Sequence, residues 1–140
     1  MGRQTRQRSF RLSVNTLDLL EQRARERRQT GNRLAERLID EGLRTLDHPL
    51  IQFRQGASGE RRPALAGSRL YVWQVVDTVR ASDGSVAAAA EYLGLSRARV
   101  QACVSYCADF RDEVDAYAEE ERELARREQD RSRREQEVTG

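Results

Sequence analysis

The chain contains no lysine: all 25 basic residues among its 140 are arginine. A GC-rich genome explains that as well as any function does, although arginine brings bidentate hydrogen bonding wherever it is used. The one histidine, His48, lies far along the chain from the two cysteines, Cys103 and Cys107. A metal site would therefore lack ligands. With no second histidine and no nucleophile motif, the sequence points away from catalysis, and no catalytic residue, metal or cofactor is expected. The densest acids, Asp109, Asp112, Glu113 and Asp115, sit beside a highly charged segment with no apolar pocket in the pattern. The cysteines stand four apart on the side of Val100 and Val104, so they read as small buried apolar side chains. The N-terminus has no apolar signal region, and no run approaches the roughly 20 apolar residues of a membrane span. The expectation is a soluble cytoplasmic protein with no membrane partner.

Aromatic residues are equally sparse: Phe10, Phe53, Phe110, Trp73 and four tyrosines, against a charged fraction of 34%. Such a chain has extended helical surface, and oligomerisation is a means of burying more apolar area. The net charge of +2 conceals an uneven distribution. Residues 1–47 carry eleven Arg against seven acids, residues 48–108 seven against four, and residues 109–140 seven against twelve. The two ends suit different partners.

These boundaries also separate three patterns. In the first, Arg6 to Val14, "RQRSFRLSV", alternates with the period of a β-strand, placing Phe10, Leu12 and Val14 on one face and Gln7, Ser9 and Arg11 on the other. A helix follows, capped by Ser13 or Asn15, with Leu17, Leu20 and Ala24 at helical spacing; "TGN" (Thr30 to Asn32) breaks it. A second helix places Ala35, Leu38, Ile39, Gly42, Leu43 and Leu46 on one face and stops before Pro49. No strand lies near enough to pair with the first, and unpaired backbone groups are costly wherever water is excluded. Pairing with the same strand of a second copy solves this, as an antiparallel ribbon over a shared four-helix core.

On "SFRLSVNTLDLLEQRARERRQTGNRLAERLIDEGL" the sequence resembles the ribbon-helix-helix (CopG/Arc/MetJ-like) family of bacterial repressors and antitoxins, over residues 5–47, about a third of the chain. It departs from that family at Arg8, where an apolar residue is usual. In the second pattern, "IQFR" and "RPALAG" flank the turn-rich "QGASGE" as a hairpin. "LYVWQVVDTVR" then reads as a helix with Val72, Val75, Val76 and Val79 inside. Helix, tight turn at Gly94-Leu95-Ser96 and helix follow, capped by Ser85 and Ser96, with Ala89, Ala90, Leu93, Leu95, Val100, Cys103, Val104 and Cys107 as core. This order, "HPLIQFRQGASGERRPALAGSRLYVWQVV" and then a helix-turn-helix, resembles a small domain of VapB-type antitoxins, whose partners are PIN-domain nucleases. The fold class expected is mainly α: a ribbon-helix-helix domain over 1–47, a hairpin plus three-helix domain over 48–108, and a charged helical or disordered tail over 109–140.

A two-stranded ribbon fits the major groove, so the outward strand face becomes the candidate for base readout. Arg11 suits guanine, Gln7 suits adenine, and Ser9 bonds to several bases or allows close approach. An exposed polar face with no ligand leaves unexplained why residues 1–14 hold four arginines and no acid. The resemblance also implies a phosphate site at Thr30, Gly31, Asn32 and Arg33, where the second helix begins, with Arg6 as a further backbone contact. An ordinary helix cap accounts for the same residues. Arg97, Arg99, Gln101 and Ser105 of the later helix-turn-helix are candidates for a second DNA contact, for holding a dimer together or for docking a partner.

In the tail, Val114, Tyr117 and Leu124 form a stripe too narrow for a core of its own. The resemblance implies that such a segment blocks the metal site of a PIN-domain toxin through an arginine. Arg122, Arg126, Arg127, Arg131, Arg133 and Arg134 are candidates, with Tyr117 and Leu124 beside them. A solvated charged helix is the alternative. The function expected is thus an antitoxin that binds a double-stranded DNA operator as a homodimer, is nucleoid-associated, represses its operon and neutralises a toxin. A stand-alone regulator or a plasmid-partition protein remains open. On the sequence pattern, a chain ended after Asp109 keeps DNA binding and loses neutralisation.

Overall fold

A computed structural model describes residues 4–140. The chain is mainly helical, with six helices and one two-stranded antiparallel sheet among the described residues. It divides into two compact units, one ending at Leu43 and one beginning at Arg44.

The first unit holds α1 (Val14–Glu26) and the greater part of α2 (Gly31–Asp47). Ser13, in an extended conformation, caps α1 by accepting a hydrogen bond from the Thr16 N–H at 3.2 Å. Thr30 does the same for α2, its Oγ1 accepting from the Arg33 N–H at 3.1 Å. Here the expected strand is absent. Residues 4–13 belong to no helix or strand, because a ladder needs a second strand and no described residue supplies one. The face expected to be shared with a second copy is largely uncovered in the single chain: Phe10, Leu12, Leu17, Leu38, Ile39 and Leu43 are exposed, while Ala24, expected on that face, and Leu34 are buried. Leu34 lies off the face assigned by spacing. Two short helices enclose only a thin line of side chains between them.

The second unit has a core of its own. The hairpin pairs β1 (Ile51–Gln55) with β2 (Arg61–Leu65), placing Ile51 opposite Leu65 and Phe53 opposite Pro63. Against it pack α3 (Val72–Ala81), α4 (Val86–Leu93), α5 (Arg97–Asp109) and α6 (Arg111–Thr139). Val72, Val75, Val76 and Val79 are buried as their spacing predicts, and so are Ala89, Ala90, Val100, Cys103 and Cys107; Leu93, Leu95 and Val104 are partly buried. Both thiols are free, and burial pushes the Cys103 thiol up to about 12 and raises that of Cys107. Ser85 and Ser96 cap α4 and α5 through the Ala88 and Arg99 N–H groups.

Gly94 ends α4 in the left-handed region at φ 67°, and the next N–H, of Leu95, donates to the Ala90 carbonyl at 2.9 Å. A Cβ there would meet no atom within 4 Å, so only the backbone preference resists one. Gly94→Ala is expected to lower stability by about 1 kcal/mol, measured as a shift in urea midpoint with unchanged slope.

α6 begins inside this core. Val114 and Ala118 are buried, so the charged segment is not a separate tail over its first turns. Its apolar stripe is narrow, but Tyr106, fully buried, and the rest of the core supply the opposing surface. Polar ties close the remaining gaps. Arg44 Nη1 donates to the Tyr106 hydroxyl at 2.9 Å and to Glu113 Oε2 at 2.5 Å, with its guanidinium 4.1 Å from the Phe110 ring centre. Burial opposes that charge, yet the hydrogen bonds to Glu113 and Tyr106 outweigh it and raise the Arg44 pKa. The Arg62 guanidinium, also buried, donates to Glu121 at 2.6 Å, Glu120 at 2.8 Å and Glu60 at 2.9 Å. Arg80 reaches Asp115 and Arg122 reaches Asp77. No described helix is long and apolar enough to cross a membrane.

Candidate nucleic-acid interface

The N-terminal arm offers Arg6, Gln7, Ser9 and Arg11 to solvent, but it offers Phe10 and Leu12 as well, 62% and 48% exposed. In a single chain the two faces of the alternation are not yet distinguished, since nothing covers the apolar one. Arg8 lies 5.4 Å over the Phe10 ring, a cation–π contact where the resembled family has an apolar side chain. A groove runs between the arm and α2, lined by Gln7, Phe10, Asn32, Glu36, Ile39 and Leu43 among others. A second, almost wholly apolar crevice between α1 and α2 is lined by Leu12, Leu19, Leu20, Leu34, Leu38 and Ile39. Ile39 belongs to both.

At the start of α2, Gly31, Asn32 and Arg33 occupy the first turn, whose N–H groups have no acceptor within a helix. The Thr30 hydroxyl takes one of them, from Arg33. The remaining amides, with the exposed Asn32 and Arg33 side chains, form a surface that an anion can approach, and no atom lies within 4 Å of a Cβ built on Gly31.

In the second unit the tight turn sets α5 at the surface with Arg97, Ala98, Gln101 and Ser105 exposed, while Val100, Cys103, Tyr106 and Cys107 face inward. Arg99 differs from its neighbours: its Nη2 donates to the Ala66 carbonyl at 2.6 Å, holding the loop that follows β2. Arg54 holds the same loop from the other side, through Ser68 and Arg69. Neither Arg54 nor Arg69 stood out from spacing, because residues 54, 69 and 99 share no period and are joined at this loop only when hairpin and helices pack.

The tail candidates separate by location. Tyr117 is half-buried, its hydroxyl donating to Glu113 Oε1 at 3.1 Å and its ring beneath Arg62. Burial, and then the Glu113 carboxylate, raise its pKa. Arg122 is committed to Asp77 at 2.7 Å. Leu124 is half exposed, and beyond it every residue of α6 is exposed. Arg126 pairs with Glu123 and Glu119 and Arg127 with Glu123, which holds the Glu123 carboxyl below its ordinary range. Farther along, Arg131 pairs with Glu135 and Arg133 with Asp130, each within one turn. Of the acids considered for catalysis, Asp109 bonds His48, Glu113 bonds Arg44 and Asp115 bonds Arg80. No family model, curated protein or solved structure matches the chain.

Proposed function

We propose that this protein is a dimeric, DNA-binding antitoxin of ribbon-helix-helix architecture that occupies its own operator and neutralises a PIN-type RNase. The observation that carries the DNA-binding half is the unfinished state of the first unit. Some forty residues hold two buried side chains, Ala24 and Leu34, beside a continuous supply of exposed Phe, Leu, Ile and Val. So small a unit needs a second copy to bury enough area. Bringing two copies together along residues 6–12 pairs the open backbone of each arm, covers Phe10 and Leu12, and leaves Gln7, Ser9 and Arg11 of both copies facing outward. That surface is a ribbon of side chains suited to base edges, flanked by the α2 N-termini as phosphate sites.

Neutralisation rests on the resemblance and on the exposed end of α6. From Leu124 onward the helix is free to lie along another protein, and its arginines can form two parallel hydrogen bonds with each carboxylate of a nuclease metal site. Each ion pair within the helix is weak enough to exchange for such a partner.

Arg11→Ala tests the readout. A chain with this change is expected to remain a folded dimer and to bind promoter DNA at least tenfold more weakly, from about 1–3 kcal/mol for each bidentate base contact. Fluorescence anisotropy against the promoter and an unrelated duplex measures it; equal binding by both proteins removes the arm from recognition. Co-expression with the product of the adjacent reading frame tests the antitoxin reading. Restored growth is the expected result, and promoter binding without any protection leaves a regulator and withdraws the antitoxin.

A further inference from the structure

We propose that the second unit binds the phosphodiester backbone of duplex DNA through Arg54, Arg69, Arg97 and Arg99, as a contact separate from the N-terminal arm. The inference starts from how this unit divides its arginines. Arg44, Arg62, Arg80 and Arg122 each meet a carboxylate within 2.8 Å. These are the arginines that tie the unit to α6 or, for Arg122, α6 to α3. Arg54, Arg69, Arg97 and Arg99, by contrast, form no ion pair with any described residue.

Two of the four are nevertheless held firmly. Arg54 donates from Nη1 to the Ser68 carbonyl at 3.0 Å and from Nη2 to the Arg69 carbonyl at 2.6 Å, and stacks 4.4 Å from the Tyr71 ring centre. Arg99 donates to the Ala66 carbonyl at 2.6 Å, and its Nη2 would stand 3.4 Å from a Cβ on Gly67. The loop from Ala66 to Arg69 is thus clasped between a guanidinium from β1 and one from α5. Carbonyls fix the position of a guanidinium without cancelling its charge, and each of these keeps further N–H donors. Arg69, on that loop, and Arg97, in the first turn of α5, are exposed.

The surroundings favour DNA over an acidic protein. A protein partner calls for an apolar centre ringed by polar groups. The exposed face of α5 here is Arg97, Ala98, Gln101 and Ser105, small and polar, and no acid occurs between Ser96 and Ala108. Side chains of these types supply most phosphate contacts, and a helix presenting a face this shallow is of a size that the major groove admits. Preset guanidinium forks match phosphate oxygens in pairs. The contact does not depend on whether the first unit reads bases.

The test uses the full chain and a labelled duplex of unrelated sequence, with affinity measured across a series of KCl concentrations. Arg69→Ala combined with Arg97→Ala removes two phosphate contacts from each chain, and the slope of log affinity against log salt is expected to flatten by about 2 for each chain on the duplex. Both side chains are exposed, so the thermal midpoint should stay in place. Lysine at both positions is expected to restore the slope, since a point charge suffices for a phosphate. Arg131→Ala with Arg133→Ala, which removes two arginines already paired along α6, should leave it unchanged. The same flattening is expected when Arg11 is already alanine. An unchanged slope in the Arg69/Arg97 variant, an equal change in the α6 control, or disappearance of the effect in the Arg11→Ala background would each overturn the proposal. So would binding of a polyglutamate peptide without binding of the duplex, which would assign the patch to an acidic protein.

Discussion

Ending the chain after Asp109 is expected to unfold the second unit, whereas ending it after Leu124 should leave that unit intact. The first cut removes Val114 and Ala118 from the core, together with Glu113, Asp115, Glu120 and Glu121. Burial of the two apolar side chains contributes about 3 kcal/mol. Arg62, buried near the start of β2, would lose two of its three carboxylates, at a further cost of about 1–3 kcal/mol. The sum of about 5 kcal/mol is comparable to the whole stability of a small domain. The second cut removes only exposed residues, whose ion pairs within the helix contribute a few tenths of a kcal/mol each. Trp73, the one tryptophan, packs against this core and reports its unfolding by fluorescence in urea. A chain ended at Asp109 with the full-length midpoint would show that α6 is dispensable to the fold. The Leu124 cut is therefore the one that separates the proposed neutralisation from folding, which the Asp109 cut cannot do.

Ile39→Asp is expected to abolish the proposed dimer and, with it, the proposed operator binding. Ile39 is half exposed in the single chain, yet it lines both the groove beside the N-terminal arm and the crevice between α1 and α2. A second copy seated there would bury its remaining exposed half twice by symmetry, about 1 kcal/mol for each copy, and a buried unpaired carboxylate would add a desolvation penalty of several kcal/mol. Sedimentation of the unaltered chain should give twice the 16.1 kDa protomer, and that of the variant one protomer, with promoter affinity falling at least a hundredfold. Glu21→Ala, an exposed change on α1 that lines neither the groove nor the crevice, should leave both readings in place. A variant that still sediments as a dimer would move the interface away from this face.

The helix ends were legible because the signals that set them are local. Ser13, Ser85 and Ser96 each accept from a backbone N–H three residues on, and Gly94 ends α4 where an L side chain is disfavoured. The hairpin and the valine face of α3 were legible for the same reason, since turn residues and a 3.6-residue period act within one element. The arm was not. Its alternation says which side chains belong together, but a strand exists only through its neighbour, and the single chain leaves Phe10 and Leu12 in solvent.

Sequence by itself therefore determined the mainly helical class, the positions of α1 to α5 and of the hairpin, the valine and cysteine core of the second unit, and the arginine-rich, acid-free arm. Tertiary structure decided what those elements do for one another. It drew the start of α6 into the core, through contacts such as Arg44 to Glu113 that join residues 69 apart. It sorted the arginines into those neutralised by carboxylates and those held by neutral carbonyls. The physical reason is range: caps, turns and periodicity act over three or four residues, whereas burial and charge compensation depend on which distant side chains the packing brings within a few ångströms.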